Sequence, residues 1–115
     1  MQWLDGLLKE LSELSEVAAV AAADDTGSYL AGMNVDDADE FAAILTFIGR
    51  SGMTIEDLLG LDELSFISLS GKNSKLIVHK IHEYFVGIRL SKTAVISKLE
   101  AKINKLVENV DVTSG

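Results

Sequence analysis

Three groups of residues in this 115-residue chain are of types that do chemistry. The first is Ser70-Gly71-Lys72-Asn73-Ser74, whose Gly-Lys pair belongs to the vocabulary of phosphate loops. Such a loop needs the spacing G-x-x-x-x-G-K-[ST] and a helix behind it, so that backbone amides converge on phosphate. Here Phe66 stands at the first glycine position, Asn73 replaces the final hydroxyl residue, and no helical pattern follows. The run reads as a hairpin turn.

The second group is the two histidines, His79 and His82. Three residues apart on a strand, they point to opposite faces and cannot share a metal ion. Either can pair with Glu83, but a histidine beside a carboxylate lacks the nucleophile and oxyanion donors of hydrolytic chemistry. The third group is Asp36, Asp37, Asp39 and Glu40, which lacks the D-x-[DN]-x-[DN]-G loop that surrounds calcium with oxygen ligands. Its place at the start of a helix is explained by capping and by the helix dipole. No cysteine is present, which excludes disulfides and thiolate sites. No catalytic, cofactor-binding or metal-ligating residue is therefore expected, and the chain is not read as an enzyme.

The elements that would position these residues follow from periodicity. Leu4, Leu7, Leu8, Leu11 and Leu14 recur at helical spacing and predict an amphipathic helix from Trp3 to Ser15. Val17–Ala23 and Ser28–Met33, separated by Asp24-Asp25-Thr26-Gly27, predict a β-hairpin. Asp37, three residues before Glu40, starts a helix over 38–51. Ser51-Gly52 is expected to stop it, with one further turn from Thr54 to Leu59 closed by Gly60. Leu64–Ser70, Lys75–His82 and Glu83–Ser91 predict three consecutive antiparallel strands. Apolar residues on both parities of the middle one, as in Leu76-Ile77-Val78, predict that both its faces are covered. A last helix over 93–109 carries Val95, Ile96, Leu99, Ile103, Leu106, Val107 and Val110 inward, with Lys98, Lys102 and Lys105 outward.

The helix over 38–51 has almost no polar side. Behind Asp39 and Glu40 come Phe41, Ala42, Ala43, Ile44, Leu45, Phe47, Ile48 and Gly49, relieved only by Thr46. A helix apolar all round needs cover on both sides, and a chain this short has little material for it. A second copy of the chain is the expected cover.

Composition bounds the class. Hydrophobic residues make up 48% of the chain, which suits one globular domain over residues 1–110 with a short tail over 111–115. No extension is expected beyond it. No apolar run reaches the roughly 20 residues of a membrane span, and Met-Gln-Trp-Leu-Asp-Gly lacks a signal peptide's basic start, so a cytoplasmic location is expected. The net charge of -8 is unevenly spread. Residues 1–71 hold fourteen carboxylates against Lys9 and Arg50, a net of -12, while residues 72–115 carry +4. An acidic chain disfavours nucleic acid as partner. The lysine face is read as a solvated face, with a surface for an acidic partner as the alternative.

The order helix, two strands, helix, three strands, helix describes an α/β (α+β) sandwich. With Leu11-x-x-Leu14 before Val17-Ala-Ala-Val20, then Asp24-Asp25-Thr26-Gly27, Phe41-Ala42-Ala43-Ile44-Leu45, and Val86-Gly87-Ile88-Arg89-Leu90 leading into the last helix, the chain resembles the roadblock family, the dynein light-chain and GTPase-regulator superfamily. The resemblance covers nearly the whole chain and lies in order and spacing rather than in one sharp motif.

It implies a roadblock/longin-like fold: a five-stranded antiparallel sheet, the first and last helices on one face and the middle helix on the other. It also implies a homodimer in which the middle helices pair and the third strands join edge to edge. Phe41, Ile44, Leu45, Ile48, Ser65 and Ile67 are the expected dimer-interface residues. A Ras-like small GTPase is the expected partner, on a platform where Asp39 and Glu40 lie at one end, Phe47 supplies apolar contact and Arg50 lies at the other end. The alternative is a dimeric scaffold that assembles a larger complex without touching a GTPase.

Overall fold

The computed structural model describes residues 1–61 and 66–110. Its elements are α1 (Gln2–Ser12), β1 (Val17–Ala23), β2 (Tyr29–Met33), α2 (Ala38–Leu59), β3 (Phe66–Ser70), β4 (Ser74–Ile81), β5 (Tyr84–Ser91) and α3 (Ile96–Glu108). The five strands form one antiparallel sheet in the order β2-β1-β5-β4-β3. This is the expected roadblock/longin-like α+β arrangement. The expected strand start at Leu64 and Ser65 and the tail over 111–115 lie outside the described residues.

Two cores flank the sheet. On one face, Trp3, Leu4, Leu7, Leu8 and Leu11 of α1 and Leu99 and Ile103 of α3 pack against Val20, Ala22, Ile77, Ile81, Val86, Ile88 and Leu90. On the other face, Ala42 and Leu45 of α2 meet Ala21, Ala23, Val78 and Phe85. β4 therefore contributes alternate residues to both cores, which accounts for its apolar residues on both parities.

The second core sets small residues around a few large ones, Leu45, Val78 and Phe85. β1 reads Val-Ala-Ala-Val-Ala-Ala-Ala, a composition that favours helix in isolation, yet it is a strand covered on both faces. Its alanines and Gly87 form a shallow floor that lets a helix approach closely. The side of α2 that meets this floor is correspondingly small: Ala42, Thr46, Gly49 and Gly52 are buried, with Leu45 the one large aliphatic among them. A β-carbon at Gly49 would collide with the Phe85 ring.

Three expectations about boundaries are corrected. α1 ends at Ser12 rather than Ser15, and its last amides turn back on Lys9, Glu10 and Leu11. α2 does not stop at Ser51-Gly52 but continues through Leu59, with Gly52 buried inside the helix and not capping it. The cap is Gly60, at φ 65°, and the Leu61 N–H bonds to Glu56 O at 3.0 Å. α3 begins at Ile96, so Val95 precedes the helix and is 46% exposed instead of joining the inner stripe.

Candidate functional site: the outer surface of α2

α2 starts, as the Asp37–Glu40 spacing predicts, where the Asp37 side chain accepts the Glu40 N–H at 3.1 Å. Asp39 and Glu40 are exposed in its first turn, where carboxylates suit the positive end of the helix dipole. Midway, the Thr46 hydroxyl donates to Asp24 O at 3.0 Å and ties the helix to the β1–β2 turn.

Because small residues take the sheet-facing side, the large apolar residues of α2 are left facing out. They form two adjacent rows at helical spacing. Ile44, Ile48, Ser51 and Ile55 make the first: Ile44 and Ile55 are exposed, and Ile48 and Ser51 are half-buried. Phe47, Thr54 and Leu58 make the second, with Phe47 74% and Leu58 79% exposed. Exposed apolar area this contiguous marks an interaction surface. Alongside, β3 forms one edge of the sheet, and its Leu69, exposed, pairs with Leu76, which packs on the same core as Ile48. Ile67, half-buried beside them, pairs with Val78.

The expected interface residues fall into different places. Ile44, Ile48 and Ile67 lie on this surface. Phe41 is half-buried, with the Arg89 guanidinium 5.8 Å over its ring. Leu45 does not reach the surface: it is 0% exposed, wedged between α2 and Gly87 of its own sheet. Its assignment to a dimer interface is corrected, since a side chain closed in by its own chain has no area to offer another. Ser65 lies outside the described residues.

Of the expected partner-binding residues, Asp39 and Glu40 stand at the N-terminal end and Phe47 on the outermost row. Arg50 flanks the helix, lining a groove with Asp25, Met53, Lys80, His82 and Glu83. Sequence reasoning missed Ile55 and Leu58, although their spacing from Phe47, Ile48 and Ser51 continues the same rows. The error came from ending the helix at Gly52.

The other groups weighed for chemistry are apart from this surface. Gly71-Lys72-Asn73 is the β3–β4 turn, closed by Gly71 N–H to Ser74 O at 2.9 Å. His79 is buried beside Phe66, with ring centroids 5.3 Å apart, while His82 sits exposed in the β4–β5 turn at φ 56°. Among the described residues no cluster of His, Cys, Asp or Glu is arranged to hold a metal ion, and no helix is long and apolar enough to cross a membrane.

No family model matches the sequence, and no curated protein matches it. Solved structures do match. MglB of Myxococcus xanthus superposes with a TM-score of 0.81 at 12% identity, covering 91% of this chain and 89% of that one. A Roadblock/LC7 domain from Streptomyces avermitilis gives 0.71 at 19% identity, covering 90% and 91%. The gliding protein mglB of Thermus thermophilus gives 0.78 at 16% identity, covering 93% and 84%. At such identities the likeness is one of fold, and it agrees with the element order and sheet topology described above: this chain has the roadblock fold.

Proposed function

We propose that this chain is a non-enzymatic homodimeric adaptor that binds a Ras-like small GTPase and regulates or positions it. The observation that carries this reading is the pair of apolar rows on α2. A monomer has no use for Ile44, Phe47, Ile55 and Leu58 all facing water, and one row alone would serve one partner.

The row nearest the β3 edge suits a second copy. Two-fold symmetry places Ile44, Ile48, Ser51 and Ile55 of each protomer against the other, while antiparallel pairing of the β3 strands satisfies their outer backbone groups. The Phe47, Thr54 and Leu58 row then remains outward on both helices, with Asp39, Glu40 and Arg50 around it, as a platform for the GTPase. The roadblock fold supports this assignment, since it is the fold expected of a GTPase-regulating domain.

The test is co-purification of the chain with small GTPases loaded with GDP or with a non-hydrolysable GTP analogue. Nucleotide-dependent capture that is lost in Phe47→Ala supports the proposal. Stoichiometric capture of a complex indifferent to nucleotide would place the dimer among scaffolds.

A further inference from the structure

The sheet has a second open edge. β2 lies at the end opposite β3 and pairs with β1 alone, so among the described residues its outer N–H and C=O groups have no backbone partner. Its sequence, Tyr29-Leu30-Ala31-Gly32-Met33, contains no charge and no proline, the devices by which edge strands ordinarily resist pairing. Leu30 and Met33 are exposed along it.

Charge around this edge is mostly negative, with Arg50 and Lys80 sharing a groove with Asp25 at one end. β1, α1 and α2 are the elements that contact β2, and residues 1–59 contain only Lys9 and Arg50 as basic groups against twelve carboxylates. Asp25 stands exposed in the turn before the strand, and Asp36 and Asp37 stand exposed just after it. Arg89 approaches the latter pair from β5, but its guanidinium is engaged over the Phe41 ring.

This arrangement discriminates between occupants. Antiparallel pairing of β2 with the β2 of a second copy sets the Asp25 end of each against the Asp36-Asp37 end of the other, like charge against like at both ends. The same carboxylates attract a strand with basic ends. We propose that β2 is a docking edge for an extended peptide segment of a partner protein, apolar and polar residues alternating in its middle and Lys or Arg at its ends, which adds one strand to the sheet. Main-chain hydrogen bonds supply the affinity, and the flanking carboxylates supply the selectivity.

The probe is a labelled synthetic peptide, Lys-Lys-Thr-Val-Thr-Val-Thr-Lys-Lys, titrated against the full chain by fluorescence anisotropy, with hydrogen exchange read at backbone amides. Binding should protect Tyr29–Met33, weaken with added salt, and fall by about tenfold in an Asp25→Lys/Asp36→Lys variant, both sites being on the surface. A Glu-flanked version of the peptide should not bind. An Ile44→Asp chain that no longer dimerises should bind the basic peptide as well as the parent, which separates this site from the α2 surface. No binding, equal binding of the acidic peptide, or protection confined to β3 or α2 overturns the proposal, as does β2-dependent growth of the chain into higher oligomers.

Discussion

Gly87 on β5 lies directly beneath Leu45 on α2, so closely that a β-carbon at position 87 would collide with both Leu45 Cδ atoms. This contact sets the height of α2 above the sheet. The helix sits this low because a glycine faces each large side chain in the contact, Gly87 under Leu45 and Gly49 over Phe85. Ala21, Ala23 and Ala42 lie around them, and most of the helix's other large side chains are left on the outside. Packing inside the protomer and the exposed surface are two consequences of one arrangement.

Gly87→Ala should therefore destabilise the protomer by about 1–3 kcal/mol, the usual cost of overpacking a fitted core. Denaturant titration reads this. Combining it with Leu45→Ala should cost less than the sum of the two single changes, because the added methyl then fills space that Leu45 vacates. Additive costs would show that the two residues do not share the contact.

Leu45→Asp should unfold the protomer instead of releasing a folded monomer. The carboxylate would enter a core lined by Ala21, Ala23, Val78 and Phe85, where nothing compensates its charge. Circular dichroism and thermal melting decide it. A well-folded Leu45→Asp monomer would return Leu45 to the interface.

Much of this architecture was legible from residue patterns. The β1–β2 hairpin, the three-strand run and the helix start at Asp37 each carry a local signal that tertiary packing reinforces. The length of α2 was not legible, because a glycine that ends a helix and a glycine buried within one look alike in sequence; Gly52 is buried mid-helix and Gly60 is the cap. Leu45 was misplaced for a related reason. In a helix apolar all round, periodicity cannot say which side faces its own sheet, and the answer depends on where the small residues of β1 and β5 lie.

Acid sensitivity should appear at the β1–β2 turn. The Asp24 carboxylate accepts the Thr26 hydroxyl at 2.7 Å and the Ser28 and Thr26 amides at 2.9 and 3.0 Å, which holds its pKa below the usual aspartate range. A lowered folded pKa adds stability above the unfolded value, and this is lost as pH falls through the folded one. The loss should start near the ordinary aspartate pKa and continue below it. Carbon-detected titration of Asp24 checks the direction, and Asp24→Asn should remove this part of the pH dependence of stability.

Nucleotide should not bind the isolated chain at the Gly71-Lys72 turn. The Gly71 amide is already given to Ser74 O, and β4 rather than a helix follows. Calorimetry with GTP and ATP should show no heat. Micromolar binding abolished by Lys72→Ala would contradict the hairpin assignment.

The two rows on α2 should separate under mutation. Phe47→Ala and Leu58→Ala should weaken capture of a GTPase while leaving self-association intact, and Arg50→Glu should do so in a salt-dependent way. If all three variants bind a cognate GTPase as the parent does, the outer row is not its platform.

Self-association through the inner row is the point on which the functional account rests, and sedimentation velocity at micromolar concentration addresses it most directly. The parent chain should sediment as a dimer of the 12.4 kDa protomer. Ile44→Asp and Ile55→Asp, both at exposed positions, should sediment as folded monomers. A parent chain that is monomeric, or variants that remain dimeric, would contradict it.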